Sequence, residues 1–120
     1  MPAQQDSLKK QLSRSGEIKI TVTGRKTGRA ITLPVWFVLD GDTLNLLPVE
    51  GSDSQWYQNV LKNPKIRIDA GSAHAELQAA PTTDASQVSS VVEKFRAKYG
   101  AKDVKKYYSK FDVAVLARAS

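Results

Sequence analysis

Between Glu17 and Thr23 the chain alternates without a break: Ile18, Ile20 and Val22 fall on one side, Glu17, Lys19, Thr21 and Thr23 on the other. A period of two predicts a strand with one face in a core and one in water. The segments that follow are joined mainly by tight turns. Ala30 to Leu39 is apolar and β-branched, with Pro34 inside it. A proline removes one ladder donor and so predicts an edge strand or a bulge. Asp40-Gly41 is a hairpin signal, with Thr43 to Val49 as the returning strand. Lys65 to Ala70 alternates with Ile66 and Ile68 inward, Gly71-Ser72 turns the chain, and His74 to Ala80 pairs back. Asp112 to Arg118 reads as the last strand.

Helical patterns fill the gaps. Residues 4–15 carry Leu8 and Leu12 four apart, with Gly16 as a stop. Ser52-Asp-Ser-Gln55 has the form of a capping box before a helix bearing Trp56, Val60 and Leu61, which Asn63-Pro64 ends. Pro81 to Asp84 opens a helix with Val88, Val91, Val92, Phe95 and Tyr99 on one stripe, closed by Gly100. A short helix over 102–110 carries Val104, Tyr107 and Tyr108. Strands grouped as hairpins predict an α+β, mainly β chain: a small barrel of about six mostly antiparallel strands with flanking helices. At 120 residues the expectation is one domain: an N-terminal helix over 1–16, barrel strands with one inserted helix over 17–80, and a helical pair with the last strand over 81–120.

The residue inventory narrows the chemistry. No cysteine is present, which excludes disulfides and thiolate metal sites. The single histidine, His74, has no serine or carboxylate motif beside it, and its expected role is structural or solvent-facing. No cluster of His, Asp or Glu has metal-ligand spacing. The net charge of +6 favours an anionic partner. No apolar run reaches the ~20 residues a membrane helix needs, and the N-terminus has no apolar leader. The expected setting is the cytoplasm.

Binding therefore remains as the readable function. Gly24-Arg25-Lys26-Thr27-Gly28-Arg29 places three cations and two glycines between two strands. Such a tip offers N–H groups, positive charge and a hydroxyl to an anion. It lacks the spacing of a P-loop. The start of the helix after Gly51 is a second place where free N–H groups favour an anion.

These motifs, taken together and in order, resemble the deazaflavin-dependent nitroreductase family: Thr23 to Gly28, Pro34, Asp40-Gly41, Gly51, Trp56-Tyr57-x-Asn59 and Asn63-Pro64. The resemblance spans about residues 20–70 and continues more weakly to the last strand. It implies a split β-barrel of the flavin-reductase, FMN-binding type. It also implies coenzyme F-420, a deazaflavin hydride carrier with a phosphorylated, polyglutamylated tail, acting on quinones, nitroaromatics or enones. The cofactor would carry the hydride chemistry, which accounts for the absence of an acid–base constellation. Carried over by position, Arg25, Lys26, Thr27, Gly28 and Arg29 would hold the tail. Pro34 would pack along the ring, with Leu47, Pro48 and Val49 on the facing strand. Gly51 and Ser52 would present N–H groups, Trp56 and Asn59 would lock the helix, and Tyr107 and Tyr108 would stand near the substrate.

The family commonly has serine-lysine-glycine-glycine where this chain has Val49-Glu50-Gly51-Ser52, so a carboxylate stands in the place of a cation. That leaves FMN, or a cofactor-storing role, as the alternative. Lys94, Arg96, Lys98, Lys102, Lys105, Lys106 and Lys110 make the C-terminal helices basic, a route to peripheral membrane contact. A homodimer could use Trp36-Phe37-Val38. Nucleic acid is disfavoured, because the strand aromatics Trp36 and Phe37 are adjacent and so on opposite faces.

Overall fold

The computed structural model describes residues 10–12, 16–71 and 73–118. Of the helix expected over 4–15, residues 10–12 are helical; the rest lies outside the described residues. Seven strands form one sheet: β1 (Ile18–Thr23), β2 (Ala30–Val35), β3 (Phe37–Asp40), β4 (Thr43–Leu46), β5 (Lys65–Ala70), β6 (Ala73–Thr82) and β7 (Ala114–Arg118). Their order is β2-β1-β5-β6-β7-β4-β3, and every pair is antiparallel.

The expected strand over 30–39 is in fact two. β2 ends at Val35 and β3 begins at Phe37, yet they are the two outermost strands. Seven strands laid flat would hold their edges about 29 Å apart at ~4.8 Å per step. One intervening residue, Trp36, spans no more than about 7 Å. The sheet therefore has to curl until its edges meet at Trp36, giving a split barrel of seven strands where about six were expected. Pro34 lies in an edge strand, as a missing donor requires.

Besides the helical residues 10–12, three helices among the described residues flank the barrel: α1 (Gln55–Lys62), α2 (Ala85–Tyr99) and α3 (Ala101–Tyr107). α1 sends Trp56, Tyr57 and Val60 into the barrel core with Ile18, Ile20, Val22, Phe37, Ile66 and Ile68. α2 and α3 cover the outer face through Val88, Val91, Val92, Phe95 and Val104. β7 serves both layers: Val115 and Ala117 face the barrel interior, Ala114 the helices. α2 starts where the sequence places it, with the Asp84 carboxylate accepting the Gln87 N–H at 2.9 Å.

The capping box does not form. α1 begins at Gln55, after a 3-10 turn over Gly51–Asp53, and Ser54 makes no side-chain cap bond to it. The reason is local competition: the Ser54 hydroxyl accepts the Glu50 N–H at 2.9 Å, and the Ser52 hydroxyl is bonded to Asp112. The returning strand stops at Leu46 rather than Val49, the short helix stops at Tyr107 rather than 110, and the last strand starts at Ala114 rather than Asp112. Of Trp36-Phe37-Val38, Phe37 is fully buried in the barrel, whereas Trp36 and Val38 are half-buried against the flanking helices.

Candidate functional site

The split between the two sheet edges leaves a cleft of about 600 Å³. One wall is the β2–β3 junction, Leu33 to Trp36. The opposite wall is the segment after β4, with Leu47, Val49 and Glu50. Ser54, Gln55 and Trp56 close it from the start of α1, Tyr107 and Tyr108 from the end of α3, and Glu17 from the start of β1. A cleft this size, largely apolar with a few polar groups, fits a flat organic ring.

The wall at Trp36 is rigid. Its ring stacks on Tyr99 at 4.2 Å and 10°. It meets Tyr107 edge-on at 5.6 Å and 79°, and Tyr108 lies 6.0 Å away. Tyr99 is fixed in turn by its hydroxyl, which lies 2.8 Å from the carbonyls of Phe37 and Gly16 and accepts the Phe37 N–H at 3.1 Å. Lys98 donates to the Phe37 carbonyl at 2.9 Å, with its ammonium 3.6 Å from the centre of the Phe37 ring. Burial holds the Lys98 pKa below its ordinary value. Burial also raises the Tyr108 phenol well above its ordinary value, the neighbouring Tyr99 adding to it, so Tyr108 stays a neutral phenol at the cleft.

The basic loop closes on itself through the Gly24 N–H to Arg29 and the Gly28 N–H to Gly24, both at 2.8 Å. Gly28 takes a φ of 74°, which glycine adopts without strain. Arg25 does not face outward as an anion receptor. Its N–H and guanidinium both bond Oδ1 of Asn59, at 3.1 and 2.8 Å, and a second guanidinium nitrogen reaches Gln55 Oε1 at 2.8 Å. Arg25 thus fastens the loop to α1, and to Gln55 on the cleft wall. Lys26, Thr27 and Arg29 are exposed.

The corner at 49–54 is also closed from within. The Gly51 N–H bonds the Pro48 carbonyl at 3.0 Å, and the Ser52 N–H bonds Asp112 at 2.9 Å. The N–H groups expected to meet a cofactor are already committed inside the chain. Gly51 has a φ of 56°, and a Cβ there would collide with Oδ1 of Asp112. Lys110 pairs with Asp53 at 3.2 Å and Asp112 at 3.7 Å, and the Ser109 N–H holds the Val49 carbonyl at 2.8 Å. Buried Pro48 does not line the cleft.

Of the residues singled out from sequence, the cleft brings together Pro34, Leu47, Val49, Trp56, Tyr107 and Tyr108. The basic loop and Asn59 form a separate cluster, joined to the cleft through Gln55. Trp36, Glu17 and Gln55 were not foreseen as cleft residues. Trp36 sits two residues past the strand proline, where a break in the ladder exposes a side chain, and that spacing was the available signal. His74 is exposed on β6, away from the cleft, matching its expected role.

Fold and cleft define a split-barrel protein with a largely apolar, aromatic-lined cleft. A family model for F420H(2)-dependent quinone reductase matches residues 3–117. The chain belongs to that family and is an oxidoreductase. Among solved structures it is similar to an F420-H2 dependent reductase, FDR-A, at 17% identity and a TM-score of 0.67, covering 86% of this chain and 94% of that one. A chain described as a domain-swapped dimer matches at 16% identity and a TM-score of 0.69, covering 94% and 98%. The haem storage protein HutZ from Vibrio cholerae matches at 13% identity and a TM-score of 0.69, covering 94% and 90%. At such identities these likenesses speak for the fold. No helix among the described residues is long and apolar enough to cross a membrane.

Proposed function

We propose that the cleft seats the ring of reduced coenzyme F-420 and that the protein reduces a small electron-poor acceptor, a quinone before a nitroaromatic. The observation that carries this is the aromatic, apolar cleft with Trp36, Trp56, Tyr107 and Tyr108 on its walls. Pro34, Leu47 and Val49 would hold the ring, and Tyr107 and Tyr108 would flank the acceptor. When bound, the deazaflavin supplies the hydride. The protein orders the two rings and keeps water from them. Exposed Lys26 and Arg29 would take the anionic tail, outside the cleft. The 49–52 corner does not suit an anion, since its N–H groups are committed and Glu50 stands there. Haem storage is less well supported: the chain's single histidine, His74, is not among the cleft residues.

The test is a binding titration with coenzyme F-420 and FMN, repeated on the Lys26→Ala/Arg29→Ala double variant. Micromolar coenzyme binding, weakened in the variant, is the expected result. Tight FMN binding with no deazaflavin binding would sink the proposal. A homodimer draws support from the domain-swapped neighbour; light scattering that returns the mass of one chain would remove it.

A further inference from the structure

The chain carries a net charge of +6, yet among the described residues the charged side chains lining the cleft are two carboxylates, Glu17 and Glu50. Neither forms an ion pair with a described cation. The cations around the cleft are directed elsewhere. Lys98 turns onto the Phe37 carbonyl and ring behind Trp36, Lys110 pairs with Asp53 and Asp112, and Arg25 bonds Asn59 and Gln55. Lys106 stands 5.3 Å from the Tyr107 ring centre but does not line the cleft. Trp36, Trp56, Tyr107 and Tyr108 are among the residues that line the cleft, and an aromatic ring attracts a cation placed over its face. Two features, carboxylates that pair with no described cation and an aromatic lining, therefore favour the same sign of ligand.

We infer that the acceptor reduced in this cleft is a planar, electron-poor molecule bearing a positive charge, and that Glu17 and Glu50 set this preference. The inference rests on the reductase reading above and adds the charge of the substrate to it. For a quinone acceptor the reaction balances without further reagents. The ring gains two electrons and two protons, one as hydride and one from water. The reduced coenzyme gives up one hydride, which carries both electrons, and releases one proton to solvent. Each carboxylate is exposed, so solvent screens its charge, and each should separate a cationic from an anionic acceptor by several-fold.

Three naphthoquinones test it, identical except for a trimethylammonium, hydroxyl or sulfonate group on a two-carbon spacer. Two readouts are taken. One is kcat/KM with reduced coenzyme. The other is Kd for the coenzyme-free protein from tryptophan quenching; the chain has two tryptophans, Trp36 and Trp56, and both line the cleft. The expected order is ammonium, then hydroxyl, then sulfonate, in both. Glu50→Gln and Glu17→Gln should each compress the ammonium-to-sulfonate ratio several-fold. Glu76→Gln, remote on β6 and exposed, should leave it unchanged. Equal or reversed order in the binding data, or a ratio unmoved by both cleft substitutions, overturns the inference. If the binding order holds while no quinone is reduced, the charge preference stands and the reductase reading fails.

Discussion

Replacing Asn59 by alanine should loosen the basic loop without touching the cleft. Asn59 is 4% exposed, and its Oδ1 accepts both the Arg25 N–H and the Arg25 guanidinium. The charged bond contributes about 1.5–3 kcal/mol net, and stranding a part-buried N–H costs about 1 kcal/mol more. Arg25 is half-exposed and keeps Gln55, so water recovers part of the loss. The expected destabilisation is about 2–3 kcal/mol, or roughly 8–12 °C in Tm for a chain of this size. Denaturant melts give the first figure and calorimetry the second. Asn59→Asp keeps the acceptor and should stay within about 1 kcal/mol of the parent at neutral pH. Coenzyme affinity, measured well below the melt, should fall in Asn59→Ala, because Lys26 and Arg29 ride on the loop that Asn59 fastens. An Asn59→Ala protein within about 0.5 kcal/mol of the parent would refute the claim that this contact holds the loop.

Further outcomes follow from the other contacts. Gly51→Ala introduces both a disfavoured φ and a collision with Asp112; a loss of about 2–4 kcal/mol in a urea melt is expected, and parity with the parent would contradict the packing at that corner. For Asp112, burial pushes the carboxyl up, but the Ser52 bonds and Lys110 outweigh it, so its folded pKa lies below the ordinary 3.8. Its contribution is complete above that value and is lost as pH falls through the lower folded one; acid melts should show Asp112→Asn with a shallower loss of stability below pH ~4 than the parent. Tyr99→Phe keeps the stack on Trp36 but removes the hydroxyl latch, and should cost about 1–2 kcal/mol with little change in tryptophan emission, whereas Tyr99→Leu should shift that emission as well. Matching emission spectra for the two variants would argue against the stack.

Much of the barrel was legible because its strands obey a local rule. Ile18, Ile20 and Val22 alternate, and so do Ile66 and Ile68; a two-residue period survives any tertiary arrangement that buries one face. The α2 stripe and its Asp84 cap are local in the same sense. The break at Trp36 was not legible, because nothing within 30–39 says that its two halves belong to opposite edges of the sheet. That is decided by β7 pairing with β4, some seventy residues away. The site divided along the same line. Pro34, Leu47, Val49 and Trp56 sit on segments whose course the motifs describe. For Arg25 the sequence shows the charge but not that Asn59, on a helix thirty-four residues later, bonds it. The sequence also does not show that Asp112, from the far end of the chain, takes the Ser52 N–H, or that the Gly51 N–H turns back onto Pro48.

The place of β7 governs the order in which the molecule can be assembled. It lies between β6 and β4, so before residues 114–118 are available the chain holds two unconnected pieces of sheet, β2-β1-β5-β6 and β4-β3. The connection through Trp36 tethers these pieces but does not align them. Pairings so distant in sequence are slow to form. The cleft walls come from both pieces, so on a ribosome the ligand site would be among the last features to appear. A nascent chain lacking β7 would expose the unpaired edges of β6 and β4, and association of such chains would compete with their completion.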